Sequence, residues 1–348
     1  MKSILFITRG RGWGHAIRDM AIIDSFSQES ETIRIGIISS ESGYQAYRIY
    51  GCECTEIPTG GEEWKWFLEV EEYLEDWGAP SLIVSDEHFG GLIIAQELKV
   101  PSVFITDWFP VGEYDCPELI ADFDRAETII YPGYQSSTPV PEQLSGKAHL
   151  VGPIVRSNPF LNVPRLQLKR ELGLMADIPL ILLMGGGSPE NQSYISTCIH
   201  AVENLEEELQ LVAIAGKLKK DFPQQISSRV IVLNHTTEIV KYMAASETVI
   251  TQAGHTTLSE LAVYAIPSIT VLLPTKLNPM QEIHARAFEQ WGYTHVISVD
   301  DFSQDTVGQL LKHLLVSQES ERRHLKSLHK SDKKPGKQVA KEIILSYL

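Results

Sequence analysis

Short apolar runs alternate along this chain with longer stretches of mixed polarity. Ser3–Thr8 (SILFIT), Ile33–Ser39 (IRIGIIS), Leu82–Ser85, Val103–Thr106 and Thr128–Tyr131 have strand length, and Ala16–Phe26 and Gly91–Leu98 between them read as helices. A strand covered on both faces is apolar throughout, and parallel neighbours need a crossover, usually a helix. The pattern therefore predicts βαβ units with right-handed crossovers. It breaks at Val151–Pro164 (VGPIVRSNPFLNVP), where prolines interrupt all periodicity. The alternation then restarts with Pro179–Met184, Leu209–Ala215, Val230–Leu233, Thr248–Thr251 and Ser268–Leu273, and Val307–Leu348 reads as helical.

The expected fold class is α/β, with two Rossmann-like doubly wound domains at residues 1–152 and 165–325. A linker at 153–164 joins them, and residues 326–348 are expected to form a C-terminal helix. A length of 348 residues suits two domains.

A net charge of −15 argues against nucleic acid or an anionic membrane as partner, since phosphate recognition needs clustered Lys and Arg. The one cationic cluster is Arg322, Arg323, Lys326, Lys330, Lys333, Lys334 and Lys337, and it reads first as a solvated helix face. Cys52, Cys54, Cys116 and Cys198 form no CxxC and read as reduced thiols. Met1–Gly10 lacks the pattern of a signal peptide, and no run is long enough for an integral membrane segment. The expected location is cytoplasmic; oligomeric state is not encoded in any of these features.

In open parallel sheets, ligands sit beyond the carboxyl ends of the strands. Three loops after strands fit that position. Gly10-Arg11-Gly12-Trp13-Gly14-His15 follows the first. Its G-x-G-x-G spacing is not a dinucleotide fingerprint, but His15 could take a proton from an acceptor hydroxyl. The alternative is a tight turn with His15 as helix cap. Gly185-Gly186-Gly187-Ser188-Pro189 follows PLILLM, with Ser188 a good N-cap and Pro189 a good first helical residue. Such a loop suits a diphosphate, without the lysine of a Walker loop. The third is Gly254-His255-Thr256-Thr257, with amides and hydroxyls for phosphate and Glu260 for ribose; Thr257-x-x-Glu260 also fits a capping box.

On the acceptor side, Asp86 and Asp107 each follow a strand and compete as the carboxylate that orients His15. His88 lies beside Asp86, and Trp13, Trp64, Trp66, Trp108 and Phe109 could line an acceptor pocket; ordinary core packing fits each of the aromatics, taken singly, at least as well. Asp122-Phe123-Asp124 spells a DxD but sits in an expected helix without a glycine loop, so no metal is assigned to it.

The segment TQAGHTTLSELAVYAIPSITVLLP resembles the donor-binding region of GT-B fold glycosyltransferases, similar to the peptidoglycan lipid-intermediate N-acetylglucosaminyltransferase and the UDP-glycosyltransferase superfamily. Asn278–Ala285 resembles that superfamily's (D/E)-Q-x-x-N-A element, with Met280 in place of the acid and His284 in place of the Asn. The resemblance implies two domains facing each other across a cleft, with the C-terminal helix packing back on the N-domain. It implies a nucleotide-sugar donor, UDP-linked, bound by the second domain without metal. Gln281 would hold the sugar hydroxyls, the backbone around His235 would meet the base, and His15 matches the histidine closing the N-terminal glycine loop.

The expected activity is inverting transfer from this donor to a hydroxyl acceptor bound by the first domain. The acidic run Glu62, Glu63, Glu69, Glu71, Glu72, Glu75 and Asp76 favours a soluble small molecule or saccharide as acceptor. Two alternatives stand beside it: a nucleotide-sugar hydrolase or epimerase of the same fold, and a non-catalytic nucleotide-sugar-binding protein. No cofactor is expected.

Overall fold

The apolar runs of the first half become strands because both of their faces are covered. On β1 (Lys2–Thr8), Ile4 and Phe6 pack toward one helical layer, and Leu5 and Ile7 toward the other. All four are at most 1% exposed. With β2 (Ile33–Ser39), β3 (Thr55–Glu56), β4 (Leu82–Asp86), β5 (Ser102–Ile105), β6 (Thr128–Tyr131) and β7 (Ala148–Leu150), β1 forms a parallel sheet. The strand order is β3-β2-β1-β4-β5-β6-β7. The connecting helices are α1 (Gly14–Asp24), α2 (Glu41–Ile49), α3 (Glu63–Trp77), α4 (Phe89–Leu98) and α5 (Pro117–Asp124).

The structure is a computed structural model, and it describes residues 2–26, 32–59, 63–185, 191–216, 225–274, 280–328 and 334–348. The chain divides into two compact units, Met1–Arg156 with Lys333–Leu348, and Ser157–Asp332.

The second unit repeats the architecture. Its strands are β8 (Leu180–Met184), β9 (Gln210–Ile214), β10 (Gln225–Ser227), β11 (Val230–Leu233), β12 (Thr248–Gln252), β13 (Ser268–Val271) and β14 (His295–Ile297). They lie in the order β10-β11-β9-β8-β12-β13-β14, parallel except for the antiparallel β10–β11 pair. Its helices are α6 (Arg165–Glu171), α7 (Gln192–Glu203), α8 (Ile239–Ala245), α9 (His255–Val263), α10 (Met280–Gln290) and α11 (Gln304–Leu328).

The helical reading of Val307–Leu348 needs correction. α11 ends at Leu328, and a separate helix, α12 (Gly336–Ser346), starts after Pro335. Proline cannot continue a helix from the preceding turn, so the segment restarts there. α12 belongs to the first unit. Ala340 and Ile344 are fully buried in the cluster that holds Ile17, Val151 and Ile154. A Cβ at Gly336 would run into the carbonyls of Gly152 and Pro153, so only glycine lets the helix start there.

The cationic cluster also needs correction. Arg322 turns inward and donates to the Ser246 carbonyl at 2.6 Å and the Ala265 carbonyl at 3.4 Å. Lys330 and Lys333 lie outside the described residues. No helix among the described residues is long and apolar enough to cross a membrane.

Each sheet has a point where the strand order reverses: β1 beside β4 in the first unit, β8 beside β12 in the second. Crossovers leave to opposite sides there, and a crevice opens beyond the carboxyl ends. The strands that end at these two points, β1, β4, β8 and β12, each precede a loop singled out by the sequence.

Candidate active site

The first crevice is built from the end of β1 and the end of β4, where Thr8 stands in register with Asp86. The turn after β1 needs its glycines. A Cβ at Gly10 would collide with Ser40, and Gly12 has φ +84°. α1 starts at Gly14 with Trp13 in the N-cap position, and no side chain caps it, so His15 is not the cap. His15 instead points its Nδ1 to Asp86 Oδ1 at 2.8 Å, and 14% of its side chain remains exposed.

The structure decides between the two competing carboxylates. Asp86 holds His15, whereas Asp107 accepts from Arg18 Nη1 at 3.1 Å. Arg18 lies one helical turn beyond His15 and is 1% exposed. Its Nε reaches Asp86 Oδ2 at 2.9 Å and its Nη2 reaches Asp86 Oδ1 at 2.6 Å, a bidentate clamp. The imidazole and the guanidinium thus converge as donors on one oxygen, which is why their own nitrogens stand 3.1 Å apart. With Nδ1–H given to Asp86, Nε2 is left as the basic nitrogen.

Glu87 approaches that nitrogen, its Oε2 3.8 Å from Nε2. It is held by Arg9 Nη1 at 2.8 Å, and the Asp107 amide donates to its Oε1 at 3.3 Å. Its backbone is left-handed at φ +48°, a conformation that costs a non-glycine residue about 1 kcal/mol or more. Asp19, on α1, is fully buried; its Oδ2 accepts from Thr8 at 2.6 Å and from Tyr47 at 3.2 Å.

These groups set one another's protonation. Burial pushes the His15 pKa down, but the charges of Glu87 and Asp86 outweigh it and leave the imidazole above its usual value. Burial would raise Asp86, but Arg18 and His15 bring it down to about 2. Burial and the Asp107 charge raise Glu87. Burial and the Asp86 charge hold Asp19 well above the carboxylate range. An ionised carboxylate orienting a histidine of raised basicity is the arrangement of a general base with its orienting acid.

Arg18, Asp19, Glu87, Thr8 and Tyr47 were not identified from the sequence. One signal was available: Arg18-Asp19 stands inside the apolar stretch Ala16–Ile22, where a charge must find a buried partner.

The aromatic and acceptor-side candidates separate. His88 stacks on Trp66 at 4.5 Å, and burial lowers its pKa to about 4. Trp108 is half-buried with its edge on Phe123, at 5.5 Å. Trp13 packs against the core beside α1. Phe109 and Trp66 are core residues, 0% and 5% exposed, in line with the core-packing alternative; Trp64 is 55% exposed. In the DxD, Asp122 pairs with Arg125 at 3.0 Å and Asp124 with Lys147 at 2.7 Å.

In the second unit, Gly185 follows β8 and Gly254 follows β12. Gln252 Nε2 ties them, donating to the Gly185 carbonyl at 3.2 Å. Gly186, Gly187, Ser188 and Pro189 lie outside the described residues. Gly254 is the N-cap of α9, so Thr257 is the third helical residue and Glu260 the sixth, and the two form no capping box. The helix begins before the threonines because Gly254 supplies the extended cap residue. His255, Thr256 and Glu260 are buried, and Thr257 is half-buried. The His255 ring meets His284 edge-on at 5.1 Å. Gln281 is half-buried in the first turn of α10. His235 rests on the backbone of Gly216, where a Cβ would come within 2.5 Å of its ring.

Residues 180–343 match the glycosyltransferase family 28 C-terminal domain. An uncharacterized glycosyltransferase of Methanopyrus kandleri is 26% identical over 66% of this chain and 67% of its own length. The UDP-N-acetylglucosamine–N-acetylmuramyl-(pentapeptide) pyrophosphoryl-undecaprenol N-acetylglucosamine transferase of Acetivibrio thermocellus is 24% identical over 95% of this chain and 94% of its own. The crystal structure of Acinetobacter baumannii MurG superposes with a TM-score of 0.64, covering 99% of this chain and 100% of that one at 14% identity.

Proposed function

From a chain with the GT-B fold and the glycosyltransferase 28 C-terminal domain, resembling the MurG and UDP-glycosyltransferase superfamily, we propose an inverting, metal-independent transfer of a sugar from a UDP-sugar to a hydroxyl acceptor. The observation that carries the mechanism is the His15–Asp86 contact at 2.8 Å, which leaves Nε2 as a base.

The acceptor O–H gives its proton to His15 Nε2 as its oxygen attacks the anomeric carbon. The bond from that carbon to the diphosphate oxygen breaks on the opposite face, UDP leaves with the electron pair, and the configuration inverts. Asp86 stabilises the imidazolium that forms, and Arg18 holds Asp86 in place.

On the donor side, the α9 N-terminus presents amides that lack intrahelical partners, suited to a diphosphate. Gly254 is exposed, and a Cβ added there meets nothing nearer than Thr257 Oγ1 at 3.9 Å. Its φ of −73° is open to any residue. Neither packing nor strain calls for glycine, which supports a reading in which phosphate comes close to this backbone. Gly185–Ser188 complete the phosphate site in this proposal, Glu260 holds the ribose, Gln281 the sugar and the segment around His235 the base.

We assign the acceptor as a saccharide hydroxyl, free or, as the names of the bacterial relatives suggest, carried on a lipid pyrophosphate. The test is product formation from a panel of UDP-sugars with both kinds of acceptor, with and without chelator. Transfer with inversion supports the reading. UDP release at equal rate with and without every acceptor assigns a hydrolase instead, and isomerised donor assigns an epimerase. Binding without turnover leaves a nucleotide-sugar-binding protein.

A further inference from the structure

Asp86 carries two oxygens and about four lone-pair positions. Three are taken: Oδ1 receives His15 Nδ1 and Arg18 Nη2, and Oδ2 receives Arg18 Nε. One remains on Oδ2. The side chain next to Asp86 that could fill it is another carboxyl, Asp19, whose Oδ2 already receives the Thr8 and Tyr47 hydroxyls. Asp19 Oδ1 is fully buried and receives no donor. An ionised carboxylate oxygen without a donor, set beside a second carboxylate, would be among the most costly arrangements a protein interior can hold. A proton on that oxygen removes both problems, because it satisfies Oδ1 and fills the last position on Asp86.

We infer that Asp19 stands as a neutral carboxylic acid that donates its Oδ1–H to Asp86, and so acts as the residue that positions the His15–Asp86 pair. The charge count agrees. Arg18 is already paired with Asp86 and Asp107, and its charge does not offset the burial of Asp19 beside Asp86. Burial and the Asp86 charge both favour the protonated form of Asp19, and they outweigh the Thr8 hydrogen bond and the Arg18 charge. The charged groups facing Asp19 are Asp86 from β4 and Arg18 from its own helix. Thr8 of β1 and Tyr47 of α2 bring only hydroxyls, and burial holds Tyr47 itself far above its usual ionisation range. His15, Glu87 and Asp107 are linked to this centre through Asp86 and Arg18.

The role rests on the reading of His15 as the base; the protonation state does not. Two measurements on the whole protein test it without substrate. In wild-type protein labelled with ¹³Cγ-aspartate, one buried carboxyl signal should stay at the protonated position at neutral pH. If every aspartate carbon reaches the ionised position, the inference falls, whether or not any variant folds.

The second measurement is the NMR titration of His15. Asp19→Ala removes the donor, leaves the Asp86 charge less compensated and should raise the His15 midpoint. Asp19→Asn keeps a neutral donor and should restore the wild-type midpoint. A fall of about one unit in Asp19→Asn would mean that an ionised Asp19 had been raising His15. That outcome, or equal midpoints in all three proteins, overturns the assignment. Failure of the glycosyl-transfer reading would appear as absent transfer with both proton results intact.

Discussion

Arg18 closes on Asp86 with two nitrogens, at 2.9 and 2.6 Å, and extends a third to Asp107 at 3.1 Å. One guanidinium therefore joins the carboxylate that orients His15 to the end of the neighbouring strand. Lysine offers a point charge and cannot reproduce this fork.

Replacing Arg18 by Met should be the most destabilising single change at this site. It leaves Asp86 buried without its cation, and breaking a buried pair from one side costs about 3–5 kcal/mol. Urea unfolding should show a midpoint lowered accordingly. Arg18→Lys should recover only part of the loss.

His15→Ala should cost far less unfolding stability than Arg18→Met, because Asp86 keeps both of its Arg18 hydrogen bonds. Transfer should fall about 10²–10⁴-fold, the range for loss of a general base. Stabilisation by UDP in thermal unfolding should persist. A variant that keeps wild-type turnover when chemistry limits the rate removes His15 from the mechanism.

The pH profile should report Glu87. His15 acts in its neutral form, so activity rises with pH through the His15 midpoint. The Glu87 charge raises that midpoint, second only to burial among its causes and opposite in sign. Glu87→Gln removes the charge, so the acidic limb of kcat/KM should move to lower pH. An unmoved limb would mean that Glu87 is neutral or faces elsewhere during turnover.

Gly254→Ala separates folding from ligand binding. Its backbone angle and surroundings accept a methyl group, so thermal stability without ligand should fall only by the ~1 kcal/mol or less that alanine costs at an N-cap. Affinity for UDP, read as stabilisation at rising nucleotide concentration, should fall. Equal stabilisation in the two proteins would mean that the diphosphate does not approach this backbone.

The strands that hydrophobic pattern revealed, and those it missed, divide along a physical line. β1, β2, β4, β5 and β6, and β8, β9, β11, β12 and β13, all have neighbours on both sides and read as apolar runs. The four missed strands, β3, β7, β10 and β14, are the edges of the two sheets. Each has two or three residues, and most of those are exposed or half-buried, so no period could show. The loop after β1 was legible because its glycine cluster carries the turn.

The partnership around His15 was legible only in part. His15 and Asp86 stood out by their positions after strands, but nothing local distinguished Asp86 from Asp107. That choice depends on where Arg18 lies on α1 relative to two strands far apart in sequence. The supposed capping box at Thr257 and Glu260 failed for a related reason: the motif was present, but α9 had already begun at His255.

The return of α12 to the first unit bears on how the protein is made. The cluster around Ile17, Val151 and Ile154 is closed by Ala340 and Ile344. During synthesis the ribosome delivers the rest of this unit first and then the entire second unit before those two side chains exist. The N-terminal half, which holds His15 and Asp86, must wait with an uncovered apolar face. Domains usually complete in the order of translation; here the half that starts first finishes last. A nascent chain stalled before α12 would hold a finished second unit and an unfinished first.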